Sequence, residues 1–81
     1  MRTISLFVLF SCVVCVGQSP EDLFREGNNA YNQGEYERAI IYYDSISSLG
    51  VHAAELYFNL GNAYYKQNAI APSILNYEKA L

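Results

Sequence analysis

The sequence predicts an all-α fold of antiparallel helical hairpins preceded by an N-terminal signal peptide. Three observations lead there: an apolar run at the N-terminus, an internal repeat at an offset of 34 residues, and helical apolar spacing that breaks at the same place in both copies of the repeat.

The leader comes first. Of the 81 residues, 52% are hydrophobic, and much of that content lies before residue 17. Arg2 supplies one positive charge, and Ile4 to Val16 is apolar apart from Ser5 and Ser11. A spanning helix needs about 20 apolar residues, so this shorter run followed by Gly17-Gln18-Ser19-Pro20 reads as the h-region of a signal peptide covering 1–17. Cleavage after Gly17 would start the exported chain at Gln18 and deliver it to the periplasm or cell envelope. The alternative is a lipoprotein anchored at Cys12, because Leu9-Phe10-Ser11-Cys12 is similar to a lipobox. Cys12 and Cys15 also spell C-x-x-C, but inside a discarded apolar segment they read as small hydrophobes and not as a redox or zinc site.

Charge narrows the partners. The chain carries a net charge of -3, and loss of the leader removes only Arg2 from its positive charges. That leaves Arg25, Arg38, Lys66 and Lys79 against eight carboxylates, a balance unsuited to nucleic acid. No Lys/Arg cluster marks a lipid surface, so membrane contact is expected only through a lipid anchor or a segment beyond Leu81.

An offset of 34 aligns Pro20–Ser47 with Ala54–Leu81 without a gap, and eight of the 28 pairs are identical. Chance would give about two. The matched pairs include Phe24 with Phe58, Gly27 with Gly61, Asn28 with Asn62, Tyr31 with Tyr65, and Tyr43 with Tyr77. The units are 20–53 and 54–81, the second ending within its second helix.

Each unit reads as helix, turn, helix. Ser19 suits the N-cap of the first helix, Pro20 its first position, and Asp22 the positive end of its dipole. Gln33-Gly34-Glu35 breaks the first unit and Gln67-Asn68-Ala69 the second, with glycine or asparagine where a left-handed residue is needed. Pro72 falls in the first turn of the last helix, where a missing N–H does no harm.

These residues resemble the tetratricopeptide repeat. Leu23, Gly27, Ala30, Ala39 and Tyr43 in the first unit, and Tyr57, Leu60, Gly61, Tyr64, Tyr77 and Ala80 in the second, match its alternation of small and large residues. The resemblance implies an all-α solenoid of stacked hairpins, with Gly27 and Gly61 allowing close approach and Tyr43 and Tyr77 filling the space opposite. Glu26 departs from it where a large apolar residue is usual, and Ser48-Leu49-Gly50-Val51 replaces the usual link. The run from Ala54 to Leu81 also resembles the N-terminal part of bacterial BatE-type aerotolerance proteins. That family implies an envelope protein whose repeats are followed by a membrane segment and an SH3-like domain. Repeat arrays usually need about three units, so the residues read as the opening of a longer array.

At helical spacing beside the packing stripe lie Phe24, Asn28, Tyr31 and Asn32, and in the second unit Phe58, Asn62, Tyr65 and Lys66. Stacking would set these faces side by side as a strip of aromatics and amides. In the repeat family such a strip is the usual groove for a partner peptide, whose backbone the asparagines would bond as both donors and acceptors. The plainer reading is that Phe24 and Phe58 pack between repeats. A carboxylate clamp would need several cations in the groove, and only Lys66 is placed there.

No catalysis is expected. His52 falls in the link between units, and no serine or cysteine has a partner base at a recognisable spacing. Glu21, Asp22, Glu35, Glu37 and Asp44 read as solvated helix faces, and no ligands cluster for a metal or cofactor. The eight tyrosines could also stack on sugars, but four are used by repeat packing. The expected function is a protein-interaction scaffold of the bacterial envelope that holds a partner peptide or protein in its groove. The alternative is a structural spacer supporting a C-terminal domain.

Overall fold

The computed structural model describes residues 18–81, so the expected signal peptide at 1–17, the alternative of a lipid anchor at Cys12 and the C-x-x-C pair lie outside the described residues. The described residues contain no strand and form an all-α structure of four helices: α1 (Pro20–Asn32), α2 (Tyr36–Ser48), α3 (Ala54–Lys66) and α4 (Ile70–Ala80).

Helix α1 opens on a reciprocal cap. Ser19 has extended backbone, its Oγ accepts the Asp22 N–H at 3.1 Å, and the Asp22 carboxylate accepts the Ser19 N–H at 3.4 Å. Two of the N–H groups that a helix start leaves unpaired are satisfied at once. The other three helices have no side-chain cap, so packing must hold them in place.

The two tight turns are copies of each other. Glu35 N–H donates to Ala30 C=O at 2.9 Å and Gly34 N–H to Tyr31 C=O at 3.0 Å; Ala69 to Tyr64 and Asn68 to Tyr65 repeat the pair, both at 2.9 Å. This nested pair of bonds forms when the residue after the C-cap turns left-handed, and Gly34 (φ +80°) and Asn68 (φ +62°) do so. A three-residue turn between helices in contact reverses the chain, so α1 with α2 and α3 with α4 are antiparallel hairpins. Gly50, also left-handed at φ +87°, ends α2 ahead of the link to α3.

Packing follows chain order: α1 on α2, α2 on α3, α3 on α4. One continuous core runs from Leu23, Ala30, Ala39 and Tyr43 inside the first hairpin to Ile46, Leu56, Leu60 and Ala63 across its junction with the second. Gly27 and Gly61 are where each hairpin closes. A Cβ on Gly27 would lie 2.5 Å from Cε1 of Tyr43, and one on Gly61 2.5 Å from Cδ1 of Tyr77. Ser73 is buried in the second hairpin and donates to Gly61 C=O at 2.9 Å, so its hydroxyl costs little there. Pro72 sits in the first turn of α4, and its C=O accepts from the buried Asn76 amide at 2.8 Å. Glu26, where the repeat pattern favours a large apolar residue, is half-buried.

Candidate functional site

Stacking the hairpins opens a cleft between α1 and α3. It encloses about 300 Å³ and is lined by Asn28, Tyr31, Asn32, Tyr43, Asn59 and Asn62. Helix α1 supplies three of these at one-turn spacing, beside the Leu23–Gly27–Ala30 stripe, and α3 supplies two amides opposite.

Both hairpins fix their asparagine in the same way. Tyr43 O–H donates to Asn28 Oδ1 at 2.5 Å, and Tyr77 O–H donates to Asn62 Oδ1 at 2.5 Å. Asn59 Nδ2 adds a second bond to Asn28 Oδ1 at 3.3 Å, joining α3 to α1 across the junction. The tyrosine that fills the space beside the helix glycine therefore also orients the amide one residue along. Burial pushes the Tyr43 hydroxyl up to about 12, partly offset by hydrogen bonding with Asn59, so it stays a neutral donor through the physiological range.

These bonds narrow one expectation at Asn28. The amides were expected to meet a peptide backbone as donors and acceptors alike, but the Asn28 and Asn62 oxygens are taken by phenols. Asn28, whose oxygen is bonded twice, has its NH2 group left to offer a ligand, and Asn62 has its NH2 group and one acceptor site.

The expected groove residues are only partly brought together. Asn28, Tyr31, Asn32 and Asn62 meet at the cleft. Phe24 instead rests on Tyr43, ring centroids 5.8 Å apart, and Phe58 on Tyr77 at 5.7 Å, so each ring packs on the tyrosine of its own hairpin. Tyr65 and Lys66 are exposed and lie outside the cleft lining. Tyr31 also meets Tyr36 edge-on across the first turn, with centroids 5.2 Å apart.

Asn59 and Tyr43 are the lining residues that sequence reasoning left out of the site. Comparison of the repeats cannot find Asn59, because Arg25 occupies its place in the first unit. A signal was available all the same: Asn59 stands three residues after Leu56 and four before Ala63, which puts an amide on the packing side of α3.

The charged groups lie away from the cleft. Arg25 pairs with Asp22 at 2.9 Å, and Arg38 pairs with Glu35 and sits over the Tyr42 ring. The Asp22 carboxyl is held below its usual range by the Arg25 hydrogen bond and then by Ser19. Burial raises the Asp44 carboxyl, with Lys79 opposing, and also raises the Tyr64 hydroxyl, to which Asp44 adds. His52 is less isolated than a free linker residue: it stacks on Tyr57 at an interplanar angle of 8°, with Nδ1 2.5 Å from the Tyr57 hydroxyl. Among the described residues no group of His, Cys, Asp or Glu could hold a metal ion, and no helix is long and apolar enough to cross a membrane.

Fold and site together define the described residues as an all-α pair of repeated hairpins with an uncharged, amide-lined cleft at their junction. No family model matches the chain, and no curated protein matches it either.

Proposed function

We propose that this chain is a tetratricopeptide-type scaffold, exported to the bacterial envelope, that holds an extended segment of a partner protein in the cleft between α1 and α3. The observation behind this reading is a cleft lined by four asparagines, of which Asn28 and Asn62 have their oxygens bonded to phenols and their NH2 groups left to donate. An extended peptide exposes backbone carbonyls at regular spacing, and it can meet such donors without carrying charge. Tyr31 offers an aromatic surface beside them. With the cleft uncharged, recognition rests on amide and apolar contact, and salt should weaken it little. The eight residues 24, 28, 31, 32, 58, 62, 65 and 66 reduce on this reading to Asn28, Tyr31, Asn32 and Asn62 with Asn59 added.

The test must spare the Tyr43 and Tyr77 bonds. Asn32→Glu, an exposed position on the cleft rim, should abolish co-purification of an envelope partner while circular dichroism stays unchanged. Full retention of the partner would reject the cleft and favour the spacer role. Sequencing the N-terminus of the exported form tests location separately, with Gln18 expected and a lipid-modified Cys12 pointing to an anchored form.

A further inference from the structure

A second hollow lies beside α1 and α3, and unlike the amide cleft it carries charge. It encloses about 270 Å³ where the two hairpins meet. Phe24 of α1, Ile46 of α2, Leu56 of α3 and Val51 of the link form its apolar walls, and Glu21 and Glu55 stand among them. Both glutamates are exposed and Val51 is 38% exposed, so the hollow opens to solvent. Both hairpins bound it, so it is space that their stacking leaves free. The wall at Val51 is particular to this chain, because Ser48-Leu49-Gly50-Val51 replaces the link usual in the repeat it resembles.

No cation of the described residues neutralises these two carboxylates. Arg25 is held by Asp22 and Arg38 by Glu35, Lys79 lies over the Tyr57 ring, and Lys66 stands at the far end of α3. Gln18, where the described chain begins, does not line the hollow. Apolar walls with two unpaired carboxylates beside them complement a group that has an apolar stem and a cationic head. Lysine and arginine side chains have that form, with methylenes that bury along apolar surface while the charge stays in water. A wholly apolar occupant would strip water from the carboxylates without compensation, and an anion would be repelled.

The hollow and the amide cleft are two stations on one groove. Glu21 and Phe24 share the hollow with Glu55 and Leu56, while further along both helices Asn59 bonds Asn28, so α1 and α3 run side by side in the same direction. The stations are about eight residues apart along α1, or about 12 Å. An extended segment spans that distance in about three or four residues.

We infer that the hollow takes a lysine or arginine side chain of the partner segment, about three or four residues from the stretch in the amide cleft, with its stem against Phe24, Ile46, Val51 and Leu56 and its cation at Glu21 and Glu55. This rests on the reading of the cleft as a site for an extended segment, and adds to it a requirement for a basic residue. Only this contact answers to salt, since the cleft is uncharged.

The test uses the full chain and a labelled, end-blocked peptide, Thr-Ala-Thr-Ala-Lys-Ala-Thr-Ala-Thr, whose central lysine leaves four residues to reach the cleft in either direction. Fluorescence anisotropy should show saturable binding, weakened about fivefold by norleucine in place of the lysine and as much by Glu21→Gln with Glu55→Gln in the protein. The two changes together should cost no more than either alone. Binding that Asn32→Glu abolishes but that ignores norleucine and the glutamine pair keeps the cleft and overturns the basic pocket. If no peptide binds, n-butylammonium, the lysine side chain by itself, is titrated and followed by NMR. Shifts at the Ile46, Val51 and Leu56 methyls that the glutamine pair abolishes support the pocket while the cleft reading fails, and no shift overturns the pocket too. Tighter peptide binding on Arg2→Gln would also overturn it, since the pocket would then belong to the chain's own N-terminal segment.

Discussion

The ring of Tyr43 occupies the space that a side chain at position 27 would need, and Tyr77 stands in the same relation to Gly61. The contact sets the separation of the two helices in each hairpin.

The first prediction follows from it. Gly to Ala inside a helix ordinarily gains about 0.5–1 kcal/mol, whereas overpacking a core costs about 1–3 kcal/mol. At 2.5 Å from a buried aromatic ring the second effect wins, because Tyr43 is enclosed and cannot yield. Gly27→Ala should therefore lower stability in urea unfolding by about 1–2 kcal/mol. Tyr43→Leu introduced alongside it should recover part of that loss, and a strictly additive pair would contradict the packing account.

The phenol bonds give a second contrast. Tyr43→Phe removes the donor to Asn28 in a closed environment and should cost about 1 kcal/mol. Tyr77→Phe removes the equivalent bond on the half-open hairpin, where water can replace it, and should cost less. Thermal melts of the two variants compare them directly. Equal losses would mean that burial does not govern the bond.

The turns can be tested through backbone chirality alone. Gly34 has open space around it, so the only penalty of Gly34→Ala is a left-handed φ, about 1–2 kcal/mol. Gly34→Asn should cost less, because Asn68 already holds that conformation in the other turn, and Asn68→Gly should be close to neutral. Chemical unfolding of the three variants should rank them in that order.

Alkaline pH should unfold the chain through Tyr43. Its hydroxyl is raised from an ordinary value of 10.0 to about 12, so the fold favours the protonated form. The contribution is fully present below about 10 and is lost as pH rises through about 12, and Tyr64, raised in the same direction, adds to the loss. Tyr43→Phe should flatten this limb of the stability curve. Asp22 acts in the opposite sense: its lowered value gives a contribution present above the ordinary carboxylate range and lost as pH falls. Ser19→Ala should weaken that acid-sensitive part and cost about 1 kcal/mol.

Much of the fold was legible in the residues. The Ser19 cap, the breaks at Gly34 and Asn68, and the start at Pro72 are local effects of chirality and hydrogen bonding, and each shows in a few neighbouring positions. Gly27 facing Tyr43 was also readable, since the repeat pairs a small residue with a large one twice. The cleft was legible only in part. Helical spacing put Phe24 and Phe58 on the same strip as the asparagines, but it could not say that both rings would turn onto Tyr43 and Tyr77.

The sequence by itself therefore determined the helices, their turns and the repeat that relates the two hairpins. Those depend on interactions between residues a few places apart, and a linear pattern records them. Only the tertiary structure decided which amide atoms are bonded within the fold, that Asn59 reaches Asn28 from 31 residues away, and that Ile40 is covered while its counterpart Ile74 is exposed. Those outcomes depend on how one hairpin lies against the other, and no spacing along the chain encodes that geometry.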